Sequence, residues 1–346
     1  MTISQIKPID LESYEIVQKL YRSKTYRYYQ IRDIDTGKDY LAKIRKTCFE
    51  NLSKEGLLNL SREINIISKI KHPSILNFIG FSPSNFKNKP KTVLIMDYPK
   101  NSGLDCLINN LTNTQKVIII YGIAAGMSFL HSNDIIHRNL NPCSIYIDDK
   151  SYPKISGMSH SIQISSSDTF LTELRLYEWT CYYAPEIFLN LEYSKSADVY
   201  SYGLTMYEIF SKKAPFEFKE LNDFYEKVGE NGFRPEMDES IPPCYRRLIE
   251  KCWSQDPKKR PSFDEVLSEL QNNNEYVTCF EGDFDNEAFL EYKKYIDESP
   301  RKCETKDFKC DQVDELLKEK MHLFNKSEEL NKRLKYSDSE LYINFD

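Results

Sequence analysis

The stretch HRNLNPCSIYID, residues His137 to Asp148, decides the fold, because distinctive segments flank it on both sides. Before it stands the apolar run QKVIIIYGIAAGMSFLHSN, which predicts a long helix. After it come, in order, KISGMSHS (154–161), YYAPE (182–186), SADVYSYG (196–203) and CWSQDPKKRPSF (252–263). Helical spacing continues in YRRLIEKCW and FDEVLSELQ, so the chain from Gln115 onward is predicted to be mostly helical.

Upstream of this region the residue pattern is that of a β-sheet. YEIVQKL, YRYYQIRDI and YLAKI alternate apolar and polar residues and predict a three-stranded meander. A helix is predicted through LLNLSREINIISKI (57–70), followed by two strands in SILNFIGF and TVLIMDY. A small, mostly β lobe therefore precedes a larger, mostly α lobe, with a joint near Tyr98 to Asn101.

Read in this order, the motifs resemble those of the protein kinases, and the later ones are similar to the tyrosine-kinase-like branch. LAKI, with Lys43, resembles the third-strand lysine motif, and Glu63 stands where the family has its ion-pair partner. HRNLNPCSIYID resembles the catalytic loop and KISGMSHS the metal-binding motif. The resemblance implies an α+β, bilobal protein-kinase-like fold over residues 14–273.

This fold consists of a small β-rich N-lobe (14–98) and a larger α-helical C-lobe (99–273). Beyond it lies an acidic, partly helical C-terminal tail (274–346). Residues 275–346 hold 12 Lys or Arg against 19 Asp or Glu, whereas residues 1–274 hold 35 against 34. In the tail, VDELLKEKMHLFNKSEELNKRL (313–334) keeps an apolar stripe for only about three turns, which favours a docking or solvated helix over a coiled coil.

Several matched positions imply scaffold roles. In the family, the counterpart of Glu186 pairs with that of Arg260 as a buried ion pair, and the counterpart of Asp198 holds the backbone of the catalytic loop. The resemblance also implies a spine of apolar side chains across the two lobes, formed by Ile67, Phe78, His137 and Met158.

The residues that phosphoryl transfer requires are replaced. The reaction needs a carboxylate that accepts the substrate's hydroxyl proton and oxygen ligands that hold Mg²⁺. The position of that carboxylate is Asn139, whose amide cannot act as a base. Asn141 replaces the loop lysine, Ser144 the amide metal ligand, and Gly157 the metal-binding aspartate. Because no strong Mg²⁺ ligand remains, we expect no metal site.

The phosphate loop is also altered. Where the family pattern has three glycines, YRSKTY supplies Tyr21, Ser23 and Tyr26. Side chains at these positions would keep backbone N–H groups away from phosphate oxygens.

The pocket that holds adenine in the family is predicted to be narrowed or filled by side chains of this chain. Tyr28 stands where a valine covers adenine in the family, and Tyr146 where a leucine forms the floor. Met96 is the predicted gatekeeper, and Pro99 lacks the N–H that would bind adenine. We expect the remaining nucleotide site to bind ATP weakly at best. Its remnants are Tyr28, Ala42, Lys43, Glu63, Met96, Pro99 and Tyr146. The alternative is that both tyrosines pack outward as surface aromatics.

The activation segment, residues 157–186, suggests phosphorylation by another kinase, with Arg138 as the partner of the phosphate. A flexible polar loop without regulation is the alternative. Trp179 stands where the branch has a threonine, which makes docking of a substrate peptide doubtful. The candidate hydroxyls are Ser161, Ser165, Ser166, Ser167, Thr169 and Thr172.

Composition limits the partners and the compartment. A body of near-neutral charge without a basic stripe argues against nucleic acid or an anionic membrane as the main partner. Nine cysteines without a CxxC pair favour reduced intracellular thiols over disulfides or a zinc site. With no apolar run of spanning length and no signal-peptide pattern, a cytoplasmic location is expected.

These substitutions predict a catalytically silent pseudokinase, a binding or scaffold protein in intracellular signalling without a required cofactor. Its partners are expected to be proteins, such as an active kinase or its substrate. The alternative is a divergent Ser/Thr protein kinase with residual ATP binding and phosphotransfer. A third interpretation is a nucleotide sensor that binds ATP without Mg²⁺ through Lys43.

Overall fold

A computed structural model describes residues 9–164, 180–190, 193–218, 220–280 and 282–299. They form two compact units: the first holds the chain up to Ser68 together with Ile79–Met96, and the second holds Lys69–Phe78 and the chain from Asp97 onward. The units divide between Met96 and Asp97, next to the joint that the sequence predicts near Tyr98 to Asn101. Residues 69–78, predicted as part of the N-lobe, fold with the second unit, because Ile155 exchanges backbone hydrogen bonds with Ser74 and Leu76.

The first unit is built on a five-stranded sheet in the order β1-β2-β3-β5-β4. Strand β1 pairs antiparallel with β2, and β2 pairs antiparallel with β3. Helix α1 (Lys54–Ile67) begins where the Ser53 hydroxyl accepts a hydrogen bond from Gly56 N. The strands are β1 (Tyr14–Arg22), β2 (Tyr26–Asp33), β3 (Asp39–Arg45), β4 (Phe78–Ser82) and β5 (Val93–Asp97).

The second unit is mostly helical, and with the sheet of the first unit it confirms the predicted fold class. Its short strands β6 (Ile135–Ile136), β7 (Ile145–Ile147), β8 (Pro153–Ile155) and β9 (Ile162–Gln163) pair antiparallel as β6 with β9 and β7 with β8. A π-helix follows α6 over Phe224–Glu230. The helices are α2 (Leu104–Leu107), α3 (Asn113–Ser132), α4 (Pro185–Asn190), α5 (Lys195–Ser211), α6 (Leu221–Asp223), α7 (Pro243–Cys252), α8 (Phe263–Asn272), α9 (Glu275–Thr278) and α10 (Asn286–Asp297).

Helix α3 forms the centre of the second unit. It is apolar on almost every side and is buried along most of its length, with α8 and α10 packed against it. Its first turn is fixed by a reciprocal capping box between Thr112 and Gln115. Within the described residues, no helix is both long and apolar enough to cross a bilayer.

The segment after residue 273, predicted as an acidic tail, begins with two helices that pack on the second unit. Helix α10 buries Phe289, Tyr292 and Ile296, and the Tyr292 and Ser74 hydroxyls are hydrogen-bonded at 3.0 Å. Residues 275–299 contain two lysines against eight acidic residues, a net charge of −6, whereas the net charge of residues 275–346 is −7. The amphipathic stretch 313–334 lies outside the described residues.

Candidate functional site

The catalytic-loop segment of the second unit is held by a single buried carboxylate. Asp198, on α5, accepts hydrogen bonds from His137 N (2.8 Å), Arg138 N (2.9 Å) and the His131 ring (2.9 Å). Arg138 has a left-handed backbone, φ 64°, which a non-glycine residue keeps only when its surroundings fix it. Asp198 therefore has the positioning role that the resemblance implied.

The substituted loop residues bond to one another. The Asn141 amide donates to Asn139 O at 2.9 Å and accepts from Cys143 N at 2.9 Å. The Ser144 hydroxyl donates to Asn141 O at 2.8 Å and accepts from Asn141 N at 3.1 Å. These side chains stabilise a tight loop, and they present neither a base nor an anionic ligand.

Gly157 lies beside the same residues, so the structure brings the predicted degenerate positions together. Its φ is +82°, and a Cβ built on it would lie 3.3 Å from Ser144 Cβ and 3.4 Å from Asn139 Nδ2. Among the described residues, no group of three or more His, Cys, Asp or Glu side chains is arranged to hold a metal ion. The residues at this position, two amides, a hydroxyl and a glycine, do not fit Mg²⁺.

His137 has a structural role in the same loop. Its ring nitrogen Nε2 donates to Ser156 O at 2.7 Å, and burial lowers the pKa of the imidazole, which favours the neutral form. The hydroxyl of Ser161 donates to His137 O at 3.2 Å, and Ser161 is almost fully buried. The expectation that Ser161 is a phosphorylation site is therefore wrong, because its hydroxyl is inaccessible.

Arg138 and Arg260, also singled out from the sequence, are both engaged. The Arg138 guanidinium lies over the Tyr193 ring at 5.2 Å and is largely buried. Arg260 makes a bidentate ion pair with Glu186 at 2.7 and 2.8 Å, as the resemblance implied. The remaining candidate hydroxyls, at 165–167, 169 and 172, and Trp179 lie outside the described residues.

In the first unit, Lys43 and Glu63 form the expected ion pair, and a third residue joins it. Lys43 Nζ donates to Glu63 Oε1 at 2.6 Å, while the Tyr26 hydroxyl donates to Glu63 Oε2 at 2.5 Å. Arg45 Nη1 donates to the Tyr26 hydroxyl at 3.3 Å. Both carboxylate oxygens of Glu63 are therefore bonded within this unit. We refer to Tyr26, Lys43, Arg45 and Glu63 as the Tyr26 cluster.

The Tyr26 cluster removes Lys43 from solvent. The lysine side chain is only 6% exposed, and its ammonium lies 4.5 Å from the centre of the Tyr26 ring and 6.0 Å from that of Tyr28. Burial would raise the pKa of Glu63, but the Lys43 charge and two hydrogen bonds outweigh it and lower that pKa. The pair is thus ionised, and its positive charge is neutralised within the unit.

The other remnants of the nucleotide site are in part covered. Tyr28 is half-buried, and its ring stacks on that of Tyr21 with ring centres 4.1 Å apart. The Lys43 ammonium lies 6.0 Å from the centre of the Tyr28 ring, so this tyrosine is not an isolated surface aromatic. Tyr146 is buried, and burial raises the pKa of its phenol. Met96, Pro99 and Ala42 are also buried. The narrowing of the adenine position remains a prediction.

Two predicted spine residues, Ile67 and Met158, are nearly inaccessible, as is His137, whereas Phe78 is half-buried. What the sequence did not reveal is the function of Tyr26. Its place in the glycine pattern predicted a side chain in the way of phosphates, but not a hydroxyl bonded to Glu63. The signal in the sequence was the spacing of Tyr26 and Tyr28, because alternate residues of a strand share a face. This spacing places Tyr26 on the same side of β2 as Tyr28.

We predict that Tyr26→Phe will lower the free energy of unfolding by about 1.5–3 kcal/mol, since a buried hydrogen bond to a charged group is lost. Urea denaturation would measure the loss, and amide hydrogen exchange should accelerate in α1. Tyr21→Phe is the matched control, because Tyr21 is 42% exposed. Equal stability of the two variants would contradict the role given to Tyr26.

Comparison with known proteins points to one family. The profile described as protein tyrosine and serine/threonine kinase matches residues 30–270. The chain is 28% identical over 277 residues to the probable serine/threonine-protein kinase drkC of Dictyostelium discoideum, covering 78% of this chain and 36% of that protein. It is 31% identical over 250 residues to the dual specificity protein kinase shkE of the same organism, covering 70% and 34%.

A serine/threonine-protein kinase of Arabidopsis thaliana is 27% identical over 227 residues, which is 64% of this chain and 38% of that protein. The chain thus spans little more than a third of the length of these curated relatives. All three of these relatives are named as protein kinases. The family profile covers Lys43, Glu63 and the loop around Asn139.

Proposed function

Because the chain belongs to the protein tyrosine and serine/threonine kinase family, we propose that it is a catalytically silent member whose fold binds and regulates, or scaffolds, a protein partner. The observation that carries the proposal is the meeting of Asn139, Ser144 and Gly157 at one place in the second unit. Proton acceptance and metal binding both need a carboxylate there, and none of the three supplies one.

The Tyr26 cluster supports the same proposal independently. In the family the counterpart of Lys43 pairs with the helix glutamate and also contacts nucleotide phosphates, but here its ammonium lies 4.5 Å from the centre of the Tyr26 ring and the lysine side chain is only 6% exposed. The bonds of Glu63 with Lys43 and Tyr26 also fix helix α1 to the sheet.

Finer assignments belong to this proposal as well. We place the chain in the tyrosine-kinase-like branch because of YYAPE and CWSQDPKKRPSF, and in the cytoplasm because of its many cysteines without metal-site spacing. The partner is a protein, such as an active kinase or a substrate of one.

The second candidate is a divergent protein kinase. It is favoured by the intact ion pair of Lys43 with Glu63 and by the names of the relatives. General-base loss alone lowers a rate by about 10²–10⁴-fold, which leaves room for residual transfer.

Radiolabelled phosphate incorporation and calorimetric ATP titration separate the two candidates. We expect no incorporation into the protein or into generic substrates, and an ATP dissociation constant above about 1 mM with or without Mg²⁺. Lys43→Met is the control that distinguishes intrinsic transfer from a contaminating kinase. Incorporation that disappears in Lys43→Met would overturn the proposal. A dissociation constant below about 100 μM would instead favour the sensor.

A gain-of-function variant gives a further test. Asn139→Asp combined with Gly157→Asp should not restore transfer, because Lys43 remains covered by Tyr26 and no glycine loop is present. Aspartate tolerates the left-handed backbone of Gly157 better than most residues, but its Cβ would still lie 3.3 Å from Ser144 Cβ, so the melting temperature must first verify that the variant folds. Activity in this double variant would show that the first unit is still competent for phosphate binding.

A further inference from the structure

An exposed group of large apolar side chains lies in the second unit around the π-helix. Leu189 on α4 is 40% exposed, Leu221 46%, Tyr225 39% and Phe233 47%. With half-buried Phe218 we call them the aromatic patch. Single exposed apolar residues are ordinary, whereas a neighbouring group of them is typical of an interaction surface.

The aromatic patch packs against buried aromatic rings. The Phe218 ring lies 5.5 Å from Phe233 and 5.6 Å from Phe224, and Phe224 stacks on Phe188 at 5.9 Å. A Cβ on Gly229 would lie 3.3 Å from Leu189, so α4 closes directly against the π-helix. The exposed side chains are therefore carried by a buried, ordered support rather than by a loose loop, which lowers the entropic cost of binding.

The rim of the patch is acidic. Residues 217–236 contain six Asp or Glu against three Lys or Arg. The two described basic side chains are committed: Lys227 pairs with Asp223 and lies over Phe218, and Arg234 bonds to Trp253 O and Gln255. Across the described part of the chain, no ion pair is made by the rim glutamates Glu217, Glu220, Glu226 and Glu230.

We propose that the aromatic patch is a docking surface for a segment of a partner protein that presents two or three large apolar side chains flanked by Lys or Arg. Apolar anchors would cover Tyr225 and Phe233, and the cations would meet Glu217, Glu220 and Glu230, whereas Glu226 already accepts a hydrogen bond from Asn222 at 2.7 Å. The chain's own amphipathic stretch 313–334 fits less well, because its five acidic residues equal its five basic ones. The inference rests on the proposed binding function and names the chemistry of the partner.

The test uses a fluorescein-labelled amphipathic peptide of about 14 residues, enough for four helical turns, made of leucine at helical spacing and lysine elsewhere. Fluorescence anisotropy measures its binding to the full chain. A peptide with glutamate in place of every lysine, and one with serine in place of every leucine, test the charge and the apolar anchors separately.

Tyr225→Ser with Phe233→Ser removes the anchors, and Glu217→Lys with Glu220→Lys and Glu230→Lys reverses the rim. The matched control is Leu290→Ser with Tyr295→Ser on α10, which removes another exposed apolar pair from an acidic helix. All substituted side chains are at least partly exposed, and melting temperatures verify that the variants fold. If the serine variant does not fold, the charge-reversal variant provides the same test.

We expect the leucine–lysine peptide to bind the wild type and the α10 control alike, and each patch variant at least about tenfold more weakly. The two altered peptides should not bind. Equal binding of the leucine–lysine peptide to wild type and patch variants would overturn the proposal, as would equal binding of the glutamate peptide. Phosphate incorporation is measured separately from peptide binding. A failed docking test therefore does not contradict the catalytically silent assignment, and detected phosphate incorporation does not contradict the docking surface.

Discussion

Asp198→Asn should lower the free energy of unfolding by about 3–5 kcal/mol, which is a large part of the stability of an ordinary domain. The carboxylate accepts three buried hydrogen bonds, from His137 N, Arg138 N and the His131 ring. An asparagine amide turns one N–H group toward these donors, and it carries no charge. The left-handed backbone at Arg138 would lose the bond that fixes it. Urea denaturation followed by circular dichroism measures the loss.

Asp134→Asn is the matched control for this prediction. Asp134 makes a 2.7 Å ion pair with Lys195, but its side chain is 65% exposed, so the same substitution should cost less than about 1 kcal/mol. His131→Gln removes only one of the three contacts and should have an intermediate effect. If Asp198→Asn were as stable as Asp134→Asn, the carboxylate would not be what holds the loop.

Tyr292→Ala should destabilise the protein by about 3–5 kcal/mol, the usual cost of removing a buried aromatic ring. The ring is fully buried, lies 4.3 Å from Tyr152, and its hydroxyl bonds to Ser74 at 3.0 Å. A Cβ on Gly122 would collide with the same hydroxyl, so the helix surface of α3 is shaped to receive it. Thermal unfolding of the full chain would show the effect as a lowered midpoint.

Tyr295→Ala is the matched control for Tyr292→Ala, and it tests the alternative that α10 contributes nothing to the stability of the second unit. Tyr295 is on the same helix but 47% exposed, and its removal should cost less than about 1 kcal/mol. Tyr292→Phe isolates the hydroxyl and should cost about 1 kcal/mol. Similar midpoints for Tyr292→Ala and Tyr295→Ala would show that the segment after residue 273 is not part of the folded unit.

The contacts that the sequence predicted well are those with fixed motif spacing. Lys43 with Glu63, Glu186 with Arg260, and Asp198 with the catalytic-loop backbone were all expected, because a family motif places both members. The division of the chain was less predictable. Ser74 to Phe78 looked like part of a strand of the N-lobe, but backbone pairing with Ile155 places most of this segment in the second unit, and no local pattern reveals such a long-range partner.

Two features were missed for different physical reasons. The docking of α10 was hidden by composition, because exposed acidic residues outnumber the three buried positions Phe289, Tyr292 and Ile296. Their spacing of three and four residues was nevertheless the signal of an amphipathic helix. The hydroxyl bond from Tyr26 to Glu63 could not be read from the sequence, because it joins a strand residue to a helix residue 37 positions away.

The bond between Ser74 and Tyr292 also determines when the second unit can be completed during synthesis. Its two residues are 218 positions apart, so at about 5–20 residues per second a ribosome needs about 10–45 s to deliver the second after the first. Gly122 and Tyr292 are 170 positions apart, so the face of α3 at Gly122 and Tyr121 exists for about 9–34 s before the residue of α10 that covers it is made. During that time the nascent chain exposes this apolar face, which is the kind of surface that chaperones bind.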